Sequence, residues 1–358
     1  MPAPKPDRGK SHAKKPARGY RYNPYEFAVC GRPGVGKTTL ISRLVAALPE
    51  GLQAMTVTYD GSLDDPLAPY AWLAADAVFV EGHASDDLPR LLLLDDRLAS
   101  LEDPAFRPSP PAAVVHPFAP GSLEERRARN AVQSTFGSLP WFHRDDLSGI
   151  RTFVLDQWTR RRPPLAGLLL TGGRSSRMGQ DKALLDYHGR SQVEHTMAML
   201  ARHCQGAFLS CRPDQTDDPH RARFPLLPDR FLGMGPAGGI LSALGNSDRP
   251  GHAWLVLACD LPRVTDELLA ALVAARNPFR FATAFRGTDG FPEPLCAIWE
   301  PKAYSRLLQF AGLAHECPRK LLIHSPACLL PPPAENALDN GNSPADVERI
   351  RHDLHGRS

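Results

Sequence analysis

The chain has 358 residues, of which 42% are hydrophobic, and carries a formal net charge of +3 at pH 7. No apolar run approaches the roughly 18 residues of a membrane-spanning helix, and no apolar signal segment opens the chain, so we expect a cytoplasmic protein without a membrane partner. The seven cysteines form no CxxC pair, which argues against a disulfide framework and a zinc site. This length predicts two domains.

The positive charge is concentrated at one end of the chain. Residues 1–21 hold seven Lys or Arg and one acid, a charge of +6 that leaves −3 for the remainder. This stretch is too poor in apolar residues to fold, and we predict a disordered basic tail over residues 1–22. Elsewhere no basic cluster is interleaved with aromatic side chains, so the sequence gives little support for nucleic acid as a partner.

An α/β domain is predicted over residues 23–158. The run EFAVC is a strand that leads into GRPGVGKT, and the next helix has one apolar face formed by Leu40, Ile41, Leu44 and Leu48. Further strands are predicted in QAMTVTY, DAVFVEG, RLLLLDD and AAVVHP, and helices in SLEERRARNAVQ and DDLSGIRTFVLDQW. Strands that alternate with helices indicate a parallel, doubly wound sheet.

GRPGVGKT matches the Walker A pattern, whose backbone N–H groups wrap the phosphates of a nucleoside triphosphate. The predicted binding residues are Gly31, Gly34, Gly36, Lys37, Thr38 and Thr39. The lysine would reach the β- and γ-phosphates and the first threonine a Mg²⁺ ion. An acid at the end of a later strand should also hold the ion; Glu81 is the better-placed candidate and Asp60 the weaker one.

This half resembles the MobB-like adaptors of molybdopterin-guanine dinucleotide biosynthesis, which are small P-loop proteins that bind GTP. The resemblance covers about residues 25–157 and rests on GxxGxGKTTL, a strand ending in VEG, a further apolar strand and PWFHRDDLSGI. The stretch TVTYDGSLDDP departs from the family, because it lacks the usual Lys-His segment. The resemblance therefore implies GTP binding and leaves hydrolysis and dimerisation open.

A linker is predicted at residues 159–164, where the prolines of TRRRPP indicate a semi-rigid spacer. A second domain follows over residues 165–358, with strands in LAGLLLTGG, GAFLSC, AWLVLACD, FRFATAF and PLCAIW. Helices are predicted in RSQVEHTMAMLARHC, GGILSALGNS, TDELLAALVAAR and NSPADVERIRHDL. The alternation predicts a mostly parallel, doubly wound sheet, which binds ligands beyond the carboxyl ends of its strands.

A second glycine loop, LTGGRSSRMGQDK, follows the first strand of this domain. Gly172 and Gly173 allow a nucleotide to approach the backbone closely, and Arg177 and Lys182 supply positive charge for a triphosphate. Such cations also stabilise charge that develops on a phosphoryl group under attack. The loop is therefore a candidate site for nucleotide chemistry rather than for binding alone.

Two acids follow strands of the same predicted sheet. Asp260 ends AWLVLACD, where it could hold a Mg²⁺ ion that bridges phosphates. Asp229, in LLPDR, lies at an equivalent position after another strand. Arg177, Lys182 and Asp260 are the predicted catalytic residues.

The order of these motifs is similar to that of MobA-like molybdenum cofactor guanylyltransferases, over about residues 165–350. Their signature resembles LAGGxSxRMGxDK, an Asp before GPLAG, PCDxP and NxNTP; this chain has LTGGRSSRMGQDK, PDRFLGMGPAGG, ACDLP and DNGNSP. The resemblance implies a Rossmann-like nucleotidyltransferase (GT-A-like) domain. It also implies roles in GTP binding for Leu170, Thr171, Gly172, Gly173, Lys182 and Asp229, in Mg²⁺ binding for Asp260, and near the pterin for Asn340 and Asn342.

The reaction that the family implies is attack by the terminal phosphate of molybdopterin on the α-phosphate of GTP, with release of pyrophosphate. The two halves are then an adaptor and a transferase of one pathway in one chain, with molybdoenzyme apoproteins or their chaperones as further candidate partners. The motifs depart from the family at Thr171, Ala258 and Glu293, which replace the usual Ala, Pro and His. These departures affect substrate details rather than the reaction class.

Three alternatives stay open from the sequence. A CTP-dependent molybdopterin cytidylyltransferase is disfavoured, because the double glycine of TGG resembles the guanine enzymes. A non-catalytic GTP-binding carrier of finished molybdenum cofactor would keep the motifs without turnover. A sugar-phosphate nucleotidyltransferase is disfavoured by RMGxDK together with the adaptor half.

Overall fold

The computed structural model describes residues 23, 25–59, 74–82, 88–102, 109–171, 182–331 and 336–355. The predicted tail, the weaker magnesium candidate Asp60 and most of the second glycine loop, residues 172–181, lie outside the described residues. Among the helices that the structure describes, none is both long and apolar enough to cross a membrane.

A six-stranded parallel sheet forms the first half. Its strands are β1 Glu26–Cys30, β2 Ala54–Tyr59, β3 Ala77–Gly82, β4 Arg90–Leu93, β5 Ala113–His116 and β6 Trp141–His143, in the order β2-β3-β1-β4-β5-β6. The helices are α1 Lys37–Ala46, α2 Ala99–Glu102, α3 Leu123–Phe136 and α4 Leu147–Arg160. The predicted strands and helices are confirmed, whereas β6 and α2 were not predicted.

Each face of this sheet carries an apolar layer. Side chains alternate along β1, so that Phe27 and Val29 face α1 and α4 while Ala28 and Cys30 face α3. The predicted apolar face of α1 is confirmed for Leu40, Ile41 and Leu44, which are buried. Leu48 lies beyond the end of the helix at Ala46, although it packs against the same core. Because helices cover both faces, the strand ends and their loops are left to form a site.

A seven-stranded sheet forms the second half. Its strands are β7 Leu165–Leu170, β8 Ala207–Cys211, β9 Leu226–Pro228, β10 Ala253–Ala258, β11 Ala282–Arg286, β12 Pro292–Trp299 and β13 Ala327–Leu330, in the order β13-β11-β12-β10-β7-β8-β9. Among these strands β12 alone runs antiparallel to its neighbours. The mostly parallel sheet is confirmed.

The helices of the second half are α5 Gln192–His203, α6 Pro236–Leu244, α7 Asp266–Ala274, α8 Ala303–Gly312, α9 Pro318–Ile323 and α10 Pro344–His355, with a 3₁₀ turn at Lys182–Leu184 and another at Pro213–Gln215. Side chains of α5 and α7 pack on one face of the sheet, and side chains of α6, α8 and α9 pack on the other. The predicted doubly wound arrangement is confirmed for this sheet. Strand β9 agrees with the strand predicted before Asp229, whereas β13 and helices α8 and α9 were not predicted.

Candidate functional site

The first glycine loop connects β1 to α1 in a tight turn. Gly31, Gly34 and Gly36 have φ angles of 143°, 80° and 96°, which residues with a side chain rarely adopt. A Cβ on Gly31 would also lie only 2.8 Å from the carbonyl oxygen of Leu93. Lys37 closes the turn, since its Nζ donates to the carbonyl oxygens of Gly31 at 2.9 Å and of Arg32 at 3.0 Å.

Thr38 and Glu81 meet beside this loop. The Oγ1 of Thr38 donates a 2.7 Å hydrogen bond to Oε1 of Glu81. The neighbouring Thr39 is exposed at the first turn of α1. The hydroxyl and the carboxylate, predicted from sequence to share a magnesium ion, are therefore brought together, and both are oxygen ligands of the kind that Mg²⁺ prefers.

A second acid near the loop, Asp95, supports the backbone instead. Its Oδ1 accepts from the N–H groups of Arg97 and Ala99, and its Oδ2 from both the N–H and the hydroxyl of Ser100. Burial alone would raise the pKa of Asp95, but these hydrogen bonds outweigh it and lower the pKa. The Ser100 hydroxyl in turn accepts from the N–H of Arg32 at 3.5 Å. Asp95 thus holds the turn after β4 against the glycine loop.

An aromatic cluster missed by the sequence analysis lies at the ends of β5 and β6. His116 is buried and stacks on Trp141, with ring centroids 4.6 Å apart, while His143 lies edge-on at 5.4 Å. Glu125 of α3 accepts from the Trp141 indole at 3.1 Å and lies 3.9 Å from Nε2 of His116. Burial lowers the pKa of His116 to about 4 despite this carboxylate. At neutral pH the cluster therefore holds a neutral imidazole.

In the second half, Thr171 lies just after β7. Its N–H and its Oγ1 both bond the carbonyl oxygen of Ser210, at 3.2 and 2.8 Å. The carbonyl of Leu170, the last residue of β7, accepts from the N–H of Cys259 at 3.2 Å. The beginning of the second glycine loop is therefore tied to the strands on both sides.

Asp229 lies next to this point, after β9. Its Oδ1 accepts a 2.7 Å hydrogen bond from the Ser210 hydroxyl, and burial raises the pKa of its carboxyl group. Helix α6 approaches closely, because a Cβ on Gly239 would lie 2.7 Å from the Ser210 Oγ and 3.4 Å from the Asp229 Oδ1. The glycines of GPAGG thus let the helix pack against the acid.

Asp260 follows β10 and contacts the late NxN segment. Its carbonyl oxygen accepts a 2.9 Å hydrogen bond from the N–H of Gly341. Gly341 is itself buried against Tyr187, whose Oη would lie 2.7 Å from an added Cβ. The flanking Asn340 and Asn342 are exposed. The structure therefore brings both asparagines to the strand end that carries Asp260.

Glu293 is an unexpected neighbour of Asp260. Leu257 of β10 pairs with Cys296 of β12, and continuing this antiparallel register brings Glu293 opposite Asp260. Glu293 is buried, and its side chain accepts from the guanidinium of Arg319 at 3.0 Å. Burial raises the pKa of Glu293, the guanidinium opposes this effect, and the Asp260 carboxylate adds to it. The edge thus carries a second acid that faces the first.

Thr171, Asp229 and Asp260 all lie at one edge of the second sheet, because β10, β7, β8 and β9 are parallel neighbours. Gly172, Gly173 and Arg177 lie outside the described residues, and of Lys182 only the backbone, at the start of a 3₁₀ turn, is described. In the part of the chain that the structure describes, no group of three or more His, Cys, Asp or Glu could hold a metal ion. Mg²⁺ is commonly held by one or two carboxylates together with substrate phosphates and water.

Comparison with known proteins identifies the second half. Residues 167–327 match the family described as the MobA-like NTP transferase domain. A molybdenum cofactor biosynthesis bifunctional protein from Synechocystis is 38% identical over 188 residues, which are 52% of this chain and only 54% of that protein. The probable molybdenum cofactor guanylyltransferase of Methanothermobacter thermautotrophicus is 38% identical over 37% of this chain and 70% of its own length. The molybdenum cofactor guanylyltransferase of Pseudomonas putida is 32% identical over 52% of this chain and 97% of its own length. The chain therefore belongs to the family of MobA-like molybdenum cofactor guanylyltransferases.

Proposed function

We propose that the second half transfers GMP from GTP to molybdopterin or its molybdenum form, yielding molybdopterin guanine dinucleotide and pyrophosphate. A terminal phosphate oxygen of the pterin attacks the α-phosphorus of GTP and forms a new P–O bond. The bond to the bridging oxygen breaks, and pyrophosphate leaves with the electron pair. The observation that carries this proposal is the position of Thr171, Asp229 and Asp260 at one strand edge, in the order of the family motifs.

In this proposal each residue acts on charge or position and none forms a covalent bond with substrate. The backbone from Leu170 to Gly173 receives the nucleotide, and Asp229 contacts it from the end of β9, two strands away from β7. Arg177 and Lys182 stabilise the charge that builds up on the phosphates. Asp260 would hold Mg²⁺, which neutralises phosphate charge when it is bound.

The pterin is proposed to lie at the end of β10, beside the segment that contains Asn340 and Asn342. The N–H of Gly341 is bonded to the Asp260 carbonyl, so its chain neighbours Asn340 and Asn342 lie near the proposed metal ligand. Their amide groups can donate to phosphate oxygens and accept from pterin N–H groups. The finished dinucleotide would pass to molybdoenzyme apoproteins or their chaperones.

The first half is proposed to be a P-loop domain that binds GTP, joined to the second half at residues 159–164. Gly31, Gly34 and Gly36 give the tight turn that lets backbone N–H groups approach phosphates, and Lys37 lies over it. Thr38 and Glu81 are the proposed magnesium ligands, and their 2.7 Å contact is compatible with a shared ion. We propose an adaptor role for this half.

The test is a direct assay of transfer. Purified protein is mixed with molybdopterin or its molybdenum form, Mg²⁺, and GTP or CTP, and pyrophosphate and the dinucleotide are measured. We expect product with GTP alone, loss of product with Asp260→Ala and normal product with Lys37→Ala. The exposed Asp248→Ala serves as the matched control. Product with CTP alone would indicate a cytidylyltransferase, and no product with either nucleotide would indicate a carrier.

A further inference from the structure

The second half inserts an aromatic side chain into the first. Phe279, just before β11, lies with its ring centroid 4.3 Å from that of Tyr25 and 6.2 Å from that of Trp158. Tyr25 precedes β1 and Trp158 lies near the end of α4, and both are completely buried. A shared apolar contact of this kind is removed from water only while the two halves stay together.

A buried lysine fixes the same contact. Lys302, 2% exposed, donates from Nζ to the carbonyl oxygens of Ala75 in the first half, at 2.9 Å, and of Phe279 in the second, at 2.6 Å. The adjacent Arg280 lies 3.4 Å from the buried carboxylate of Asp76 and also donates to the carbonyl of Gly51. Because a buried charge without such partners is costly, these contacts specify one orientation of the two halves.

The connection between the halves is anchored as well. The carbonyl of Pro163 accepts from Arg276 at 2.8 Å, and the carbonyl of Pro164 accepts from the N–H of Ala253 at 2.9 Å. Arg276 is itself held by two hydrogen bonds to the fully buried Glu300. The carboxyl-terminal end of the segment predicted to be a spacer, Pro163 and Pro164, is therefore bonded to the second half.

All of these contacts lie at the amino-terminal edges of the two sheets. Tyr25 and Asp76 directly precede β1 and β3. Phe279 precedes β11, and Lys302 follows β12, which runs antiparallel to the other strands and so ends at the same edge. Both candidate nucleotide sites lie at the carboxyl edges instead, and a strand of five or six residues spans about 17–20 Å. The strands of each half thus lead away from the shared contact.

We infer that the surface of the second half formed by Phe279, Arg280 and Lys302 is a docking surface for the amino-terminal sheet edge of the P-loop half, and that it holds the two nucleotide sites of one chain on opposite sides. Of the first-half residues that the structure describes, none is then supplied to the transfer site of its own chain. What the two sites bind rests on the proposed function, whereas the docking does not. If a P-loop domain contacts the transfer site, we expect that domain to come from a second copy of the chain.

Calorimetry of the full chain tests the docking. We expect wild-type protein to unfold in one transition, and Phe279→Ala and Lys302→Met to separate it into two. The exposed residues Phe291 and Lys320 provide the matched controls Phe291→Ala and Lys320→Met, which should keep one transition. Arg280→Ala removes a less buried contact of the same surface. It provides a second test of docking if Phe279→Ala or Lys302→Met fails to fold.

The kinetics of transfer test the separation of the sites. We expect kcat and KM for GTP to stay within about twofold of wild type in the undocked variants. A loss of kcat/KM of about tenfold or more would mean that the docked first half contributes to the transfer site, and would overturn the inference. Two unfolding transitions in wild-type protein, or a single unfolding transition in both Phe279→Ala and Lys302→Met, would also overturn the inference. If wild type shows no transfer, the proposed function fails while the calorimetry still decides the docking.

Discussion

Thr38 donates a 2.7 Å hydrogen bond to Glu81, and this contact joins the first turn of α1 to the end of β3. Strand β3 pairs with β1 in a parallel register that places Glu81 opposite Val29, one residue before the strand ends and the glycine loop begins. The acid therefore reaches the hydroxyl because of strand order, although 43 positions separate the two residues along the chain. A magnesium ion bound here would take one oxygen from each side chain.

Removal of the Glu81 charge should weaken magnesium-dependent GTP binding by the first half. We expect Glu81→Gln to raise the Kd about tenfold, or about 1.4 kcal/mol, because an amide is a poorer ligand for a hard cation. Titration calorimetry with and without Mg²⁺ in the Asp260→Ala chain isolates the first site. The exposed Glu50→Gln is the control. Equal affinities for Glu81→Gln and wild type would exclude Glu81 as a ligand.

Glu293 should help Asp260 to attract magnesium at the transfer site. It faces Asp260 across the β10–β12 register and is held in place by Arg319. We expect Glu293→Gln to raise the Mg²⁺ concentration for half-maximal transfer roughly fivefold while kcat at saturating Mg²⁺ recovers, because a nearby negative charge favours a cation. Asp289→Asn, which alters the exposed partner of the same arginine, is the matched control. An unchanged magnesium requirement would contradict this role.

The close packing around Gly239 should make α6 intolerant of a larger side chain at this position. An added Cβ would lie 2.7 Å from both Leu170 Cδ2 and Ser210 Oγ, so Gly239→Ala must shift these side chains or the helix and disturb the Ser210–Asp229 hydrogen bond. We expect a loss of about 1–3 kcal/mol in the free energy of unfolding and a higher KM for GTP. Gly312→Ala, in α8 with no atom within 4 Å of the new Cβ, should instead be neutral or stabilising by up to about 1 kcal/mol. Denaturant unfolding and transfer assays distinguish the two, and equal stability of both variants would refute the crowding argument.

Strands with continuous apolar runs could be predicted because both of their faces are buried. LAGLLL of β7 and AWLVLA of β10 are fully buried central strands. Strands β6 and β9 have only three residues each, and they exist because a longer neighbour offers hydrogen bonds. Local propensity does not reveal strand pairing, so β6 was not predicted, and β9 was inferred only from the acid that follows it.

The residues of the candidate site also fall into those that the sequence could predict and those that it could not. Residues within one loop or at a strand end, such as Lys37 and Asp260, could be proposed from sequence because the motif and the strand end are contiguous along the chain. The approach of Glu293 to Asp260 and of Glu125 to His116 depends on register and on the packing of α3, which a single sequence does not display. The departure at Glu293 was visible as a substitution, but its physical partner was not.

The buried His116 should make the first half sensitive to acid. Its pKa is about 4 in the folded state and about 6.5 when exposed, so the unfolded chain binds more protons between these values and folding stability falls as pH decreases through that window. From pH 7.5 to pH 5 we expect this histidine to account for a loss of about 2 kcal/mol in the free energy of unfolding. His116→Gln should be less stable at pH 7.5, where its stacking on Trp141 is altered, yet lose less on acidification. The exposed His315→Gln should keep the wild-type slope, and urea unfolding at several pH values measures both. If His116→Gln retained the full pH dependence, the neutral buried imidazole would not be its source.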